Sequence, residues 1–315
     1  DFRHMDYDEE LRLKRRRVRD ALERIGGCSV PELEITGAAT QNGYRNKVQF
    51  PVAQQKGRAV AGFYRARTHE VIPADGCKLQ PECAERLKKA VTDWMRENRV
   101  PAYDEKTHTG CVRHIYLRLG FVSGQALCCV VLNAKKTPQP AALVEAILRE
   151  VPQTAGIVVS YNEKRGNTIL GDRFETLYGS DTIEDTLCGL RFRLSARSFY
   201  QVNHDQAERL YDAAVRLAGL TEKDSVLDLY CGAGTITLCL ARQAKRAVGV
   251  ELVEAAIRDA QENARRNGIR NAEFFCADAG QAAQRLCAAG ETPDVIVVDP
   301  PRKGISENVI AAIAA

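Results

Sequence analysis

A pair of glycines and a series of carboxylates, each set at the end of a short apolar run, are the residues of this 315-residue chain whose types and spacing can do chemistry. In VLDLYCGAGTITLCLA, Val226 to Ala241, Gly232 and Gly234 let the backbone turn tightly and approach a ligand that side chains would obstruct. The spacing is G-x-G followed by Thr235 and Ile236, without the third glycine of a nicotinamide-dinucleotide fingerprint, and Asp228 sets a carboxylate near the turn where a pyrophosphate would be repelled. Such a loop suits a ligand with a positive centre. The next run ends VGVELVEAAI, with Glu251 at its tip, placed to accept both hydroxyls of a ribose. The third ends FFCADAG, with Asp278 placed to accept from the exocyclic amine of an adenine. Taken in order, a cationic centre, a ribose and an adenine describe S-adenosylmethionine. The fourth run delivers Asp299, Pro300, Pro301 and Arg302. The prolines fix their own φ and push the preceding residue towards extended backbone, so Asp299 is held beside the methyl donor, where it can accept an N–H of a planar base. Arg302 and Lys303 can meet a phosphate.

These residues need a parallel sheet to line them up. After about Ser195 strand and helix alternate: a helix over Asp205 to Ala218, strands over Ser225 to Leu229, Ala247 to Glu251, Ala272 to Cys276 and Asp294 to Val298, and helices over Thr235 to Ala241, Ala255 to Asn267 and Gly280 to Ala288. That alternation predicts a Rossmann-like α/β domain over 196–315, with ligands at the carboxyl ends of the strands. Residues 1–195 predict an α+β domain with antiparallel strands. An amphipathic basic helix runs from Tyr7 to Gly27, with Leu11, Val18, Leu22 and Ile25 at helical spacing, and a hairpin occupies Gly43 to Ile72. A helix follows over Pro81 to Arg99, then strands over Ile115 to Gly120 and Ala126 to Leu132, a helix over Pro140 to Glu150, and strands over Gly156 to Tyr161 and Phe192 to Leu194.

Taken as a group, SFYQVN (Ser198 to Asn203), DLYCGAGT, GVEL, ADA and DPPRKG resemble the RNA uracil-5-methyltransferases of bacteria, above all those acting on 23S ribosomal RNA. YRNKVQFPV and GFYRARTHEVIPADGCKLQ are similar to that family's central domain, so the resemblance runs over the whole chain. It implies a class I S-adenosylmethionine-dependent methyltransferase domain, incomplete here. Gln201, Tyr230, Thr235, Glu251 and Asp278 would contact the cofactor, with Gly232 and Gly234 in the turn and Asp299 at cofactor and uracil. It implies methyl transfer to C5 of uridine through a cysteine adduct at C6. The nucleophilic cysteine and a glutamate base would lie beyond Ala315, and Cys231 would sit beside the cofactor without being the nucleophile. Cys77 matches the last of four cysteines that hold a [4Fe-4S] cluster in many members, the other three and a small RNA-binding barrel preceding Asp1. The resemblance therefore implies a piece cut at both ends that binds no cluster and transfers no methyl group by itself.

On the RNA side, Arg45, Lys47, Arg65, Arg67 and Arg302 are candidates for phosphate contact, and Tyr44, Phe63 and Tyr64 for base stacking. A net charge of +4 permits a polyanionic partner without demanding one. No run approaches the ~20 apolar residues of a membrane span, and the charged opening is no signal peptide, so a cytoplasmic protein without membrane or DNA partners is expected. The 11 cysteines are odd in number and scattered, as free thiols of a reducing compartment would be. Two alternatives stay open: the same chemistry on tRNA, and a non-catalytic RNA-binding remnant. The retention of Glu251, Asp278 and Asp299 speaks against the second, and the missing third glycine against an NAD-dependent dehydrogenase.

Overall fold

Asp6 opens the first helix by accepting from the Asp8 amide, and acidic residues fill the first turn of α1 (Tyr7–Asp20) while arginines close it, as the helix dipole favours. The computed structural model describes residues 4–288, 290, 292–302 and 304–314; Lys303 lies outside them. The helix continues through a π turn, Ala21–Ile25, to Gly27 at φ +65°. Its apolar stripe is not a buried face: Val18 is 53% and Ile25 87% exposed. This segment belongs to a compact unit, Asp1–Gln41, in which Tyr7 Oη accepts from the Ala38 amide at 2.6 Å.

The second unit, Asn42–Ala315, is built on two principal sheets. In the first, β1 (Lys47–Gln55) and β2 (Arg58–Tyr64) form the predicted hairpin through Lys56 and Gly57, both at positive φ as a two-residue turn requires. Then come β3 (Val71–Pro73), α2 (Glu82–Glu97), β4 (Val112–Leu119), β5 (Ala126–Leu132), α3 (Pro140–Glu150), β6 (Thr154–Tyr161) and β7 (Arg173–Gly179), in the spatial order β3-β2-β1-β4-β5-β6-β7. The expectation of antiparallel strands fails at one place, since β5 and β6 pair in parallel. The chain leaves the end of β5 and must return along α3 before it can lie beside its own previous strand in the same direction. Strand β7 was not predicted; it is an edge strand with no buried residue and so has no apolar alternation to read.

The two faces of this sheet carry different cores. Phe50, Ile115, Leu117, Cys128 and Val130 pack under α2 and α3 around the fully buried Trp94. Tyr116, Leu127 and Cys129 point the other way, towards the hairpin of β8 (Thr182–Leu187) and β9 (Leu190–Ser195) and the α/β half beyond it.

That half follows the predicted alternation. After α4 (His204–Ala218) come β10 (Ser225–Leu229), α5 (Thr235–Ala241), β11 (Arg246–Glu251), α6 (Glu254–Arg266), β12 (Ala272–Cys276), α7 (Ala279–Ala288), β13 (Val295–Val298) and α8 (Glu307–Ala314). The strands are all parallel in the order β12-β11-β10-β13. The order reverses between β10 and β13, and a crevice opens at such a switch point, at the carboxyl ends of the strands.

Candidate functional site

Strand register assembles the rim of that crevice. Leu229 lies opposite Val250 on one side and Val298 on the other, so the next residue of each strand, Tyr230, Glu251 and Asp299, stands in one row. Asp278 follows two residues after Cys276, the register partner of Glu251. Residues separated by up to 69 positions in the chain are thereby brought together at one edge.

The glycine turn is held in an unusual backbone shape. Tyr230 has φ +70°, costly for a residue with a side chain, and is fixed there because the amides of both Tyr230 and Cys231 donate to the Val250 carbonyl at 2.9 and 3.0 Å. Gly232 at φ +56° faces open space, the condition a closely approaching ligand needs. Gly234 at φ +79° has a different reason to be glycine: a Cβ there would stand 2.9 Å from the Phe274 ring and 3.0 Å from Ala260. Glu251 braces the turn, its two oxygens accepting from the Gly232 amide at 3.3 Å and the Val253 amide at 2.9 Å. A carboxylate has about four lone-pair sites, so two remain for ribose hydroxyls. Asp278 is exposed and caps α7, accepting from the amides of Gly280 and Gln281.

Asp228 departs from its sequence reading. It is 1% exposed at the foot of the turn, where the Thr237 hydroxyl donates to it at 2.6 Å, and its other oxygen has no partner. Burial first, with the charges of Asp299 and Glu251 adding to it, pushes this carboxyl up to about 7. A buried carboxyl whose charged form is disfavoured is not the surface charge near the turn that the sequence reading used against a pyrophosphate, so the case against a nicotinamide cofactor rests on the missing third glycine. The spacing Asp228 to Thr237, across a strand, a turn and one helical turn, signals the pair only once the two elements are known to pack.

Cys231 is 6% exposed, and burial pushes its thiol well above the ordinary range, so it supplies no thiolate near neutral pH. Thr235 opens α5 and shares a hydrogen bond of 3.0 Å with Tyr211 of α4. Gln201 lies on the segment between β9 and α4, which runs along the start of β1: Asn46 donates to the carbonyls of Gln201 (2.8 Å) and Val202 (2.9 Å), and Arg45 bridges Asn203. Asn203 then caps α4 by accepting from the Gln206 amide at 3.3 Å. Asn203→Ala is expected to cost about 1 kcal/mol of stability in a denaturant titration, the usual loss on removing such a cap.

The remaining candidates are spread out. Arg65 is paired with Glu70 at 2.8 Å, which matches its charge locally. Arg67 is exposed in the β2–β3 turn at φ +62°, and Arg302 is exposed after β13. Phe63 sets its ring 5.7 Å from Phe50, on the face opposite Tyr64. Cys77 lies in the turn before α2, and among the described residues no three His, Cys, Asp or Glu side chains are grouped to hold a metal ion. The cysteines among the described residues do not fit a [4Fe-4S] cluster. The glycine cradle and the free acceptor sites of Glu251, by contrast, fit an adenosyl cofactor.

Residues 220–314 match the model of a methyltransferase domain. Uncharacterized RNA methyltransferases of Halalkalibacterium halodurans and Clostridium acetobutylicum are 42% and 40% identical to this chain, over 99% of its length and 68% and 69% of theirs. The chain belongs to the RNA methyltransferase family. As an RNA methyltransferase it takes its methyl group from S-adenosylmethionine. Its fold is shared by the tRNA (uracil-54, C5)-methyltransferase of Pyrococcus abyssi, solved with S-adenosylhomocysteine: TM-score 0.79, 23% identity, 99% of this chain and 71% of that one.

Proposed function

We propose that this RNA methyltransferase acts on C5 of a uridine in 23S ribosomal RNA, in the cytoplasm, with residues 1–195 facing the RNA and 196–315 holding the cofactor. The observation that carries the reading is the exposed carboxylate of Asp299 at the switch point, one strand from Tyr230 and two from Glu251. When bound, S-adenosylmethionine supplies an electrophilic methyl group. In this reading Glu251 holds the ribose, Asp278 the adenine amine, and Gln201, Tyr230, Thr235 and the Gly232–Gly234 turn the methionine end. Asp299 accepts the N3–H of the uracil and so fixes the ring in plane beside the donor. C5 of uracil is a poor nucleophile until a thiolate adds at C6, and the burial of Cys231 excludes it from that role.

Two measurements test this. Calorimetry on the chain should show S-adenosylhomocysteine binding and no NADH binding; the reverse would sink the cofactor assignment. Mapping of 5-methyluridine in cells lacking the gene should show loss at a position of 23S ribosomal RNA. Loss in tRNA alone would transfer the chemistry to that substrate, and unchanged methylation of both would overturn the uridine-C5 assignment.

A further inference from the structure

The two-stranded sheet of β8 and β9 leaves one edge of β9 without a partner strand. Backbone groups along such an edge need donors and acceptors from elsewhere. Side chains of α6 supply them. Asn267, at the end of the helix, accepts from the Arg191 amide at 2.8 Å and donates to the Arg191 carbonyl at 2.8 Å. One turn earlier, the Asn263 oxygen accepts from the Arg193 amide at 3.2 Å. A further turn back, Asp259 accepts from the Ser198 hydroxyl at 3.2 Å, and that hydroxyl oxygen accepts from the Ser195 amide at 3.0 Å. Every fourth residue of the helix thus serves every second residue of the strand. The two spacings match, because four helical residues advance about 6 Å and two strand residues about 6.6 Å.

Asn263 has a second task that the other two lack in this ladder. It is 1% exposed, and its amide nitrogen donates at 3.2 Å to the carbonyl of Ala233, the residue between Gly232 and Gly234. One short planar side chain therefore spans a strand amide, which needs an acceptor, and a turn carbonyl, which needs a donor. Asparagine carries both; an ionised aspartate lacks the donor, and alanine lacks both. The turn also rests on the same helix through Ala260, whose side chain a Cβ at Gly234 would meet at 3.0 Å. Strand β9 in turn leads into the segment that carries Gln201, whose start is held to α6 through Ser198 and Asp259.

We infer that Asn263 is a positioning residue for the cofactor, fixing the glycine turn and β9 at one separation and with them the Ser198–Asn203 segment. The inference rests on the reading of that turn and of Gln201 as cofactor contacts. It adds that two stretches of chain far apart in sequence are joined at the site by a single buried amide. Loss of the donor at Ala233 releases the turn while β9 keeps its acceptor.

Calorimetry of the chain with S-adenosylhomocysteine, run beside thermal melting, separates this role from a merely structural one. Asn263→Ala should weaken binding about 10-fold, the size of one net hydrogen bond. Asn263→Asp, in alkaline buffer where its carboxyl carries no proton, keeps the oxygen for the Arg193 amide, loses the donor to Ala233, and should weaken binding by at least as much. Asn267→Ala removes two contacts to β9 and leaves the Ala233 carbonyl held, so it should lower Tm and keep binding within about twofold of wild type. Should Asn263→Ala fail to fold, the nearly isosteric Asn263→Asp carries the comparison. Asn263 variants that bind within about twofold of wild type, while Glu251→Ala is weakened, overturn this inference and leave the cofactor site in place. Equal losses in Asn263→Ala and Asn267→Ala overturn it as well, because a general loosening of α6 would account for both. Glu251→Ala binding like wild type removes the cofactor-site reading and this inference with it.

Discussion

Glu251→Ala is expected to weaken S-adenosylhomocysteine binding by about 100-fold or more in calorimetry, while leaving the chain folded. The carboxylate sits at the tip of β11 with one oxygen accepting from the Gly232 amide of the turn, the other from the Val253 amide at the start of α6, and its remaining acceptor sites open. Two charge-assisted hydrogen bonds to ribose hydroxyls are worth about 1.5–3 kcal/mol each, so losing both removes at least about 3 kcal/mol. The alanine also releases the Gly232 amide that Glu251 braces, which loosens the turn the methionine end would occupy. Glu251→Gln keeps an acceptor but loses the charge and should fall between the two. A change within about threefold for the alanine variant would remove Glu251 from the cofactor site.

The second large effect is a pH dependence. Asp228 in the folded chain holds its proton up to about 7, against 3.8 for the ordinary group, because burial disfavours its charged form. Folding therefore takes up a proton between those values. The stability that this group allows is complete below about 4, declines as pH rises through the window, and reaches its lowest level above about 7. A rise of that size corresponds to roughly 4 kcal/mol. Asp228→Asn cannot ionise and keeps an oxygen for the Thr237 hydroxyl. Relative to wild type it should gain stability steadily from pH 4 to 7 and no further beyond, read by urea unfolding without ligand at several pH values. An equal difference at pH 5 and pH 8 would show that the carboxyl is not held neutral by its surroundings.

Part of this molecule is legible residue by residue. The central strands β10 and β11 are apolar runs buried on both faces, and β13 is a half-buried apolar run of four residues; each ends where a polar residue reaches the rim, so Glu251 and Asp299 mark their own positions. The two-residue turn at Lys56 and Gly57 and the helix α2 with its single apolar face are local in the same way. The amphipathic spacing of α1 was equally clear, yet periodicity reports only that an apolar stripe exists and not that anything covers it.

What the sequence by itself determined, then, is the set of chemical groups and the strand ends that carry them: a glycine turn, the carboxylates Glu251 and Asp278 and a proline-stiffened aspartate, in that order along the chain. The tertiary structure alone decided that β13 lies against β10, so that Asp299 stands beside Tyr230, and that Asp228 lies beneath the turn instead of facing solvent. It also decided that β6 runs parallel to β5 and that Lys47 lies directly across from Arg118. The physical reason is common to all of these. Strand order, register and burial are set by packing between residues tens of positions apart, and no local propensity or spacing records which distant surface a side chain will meet.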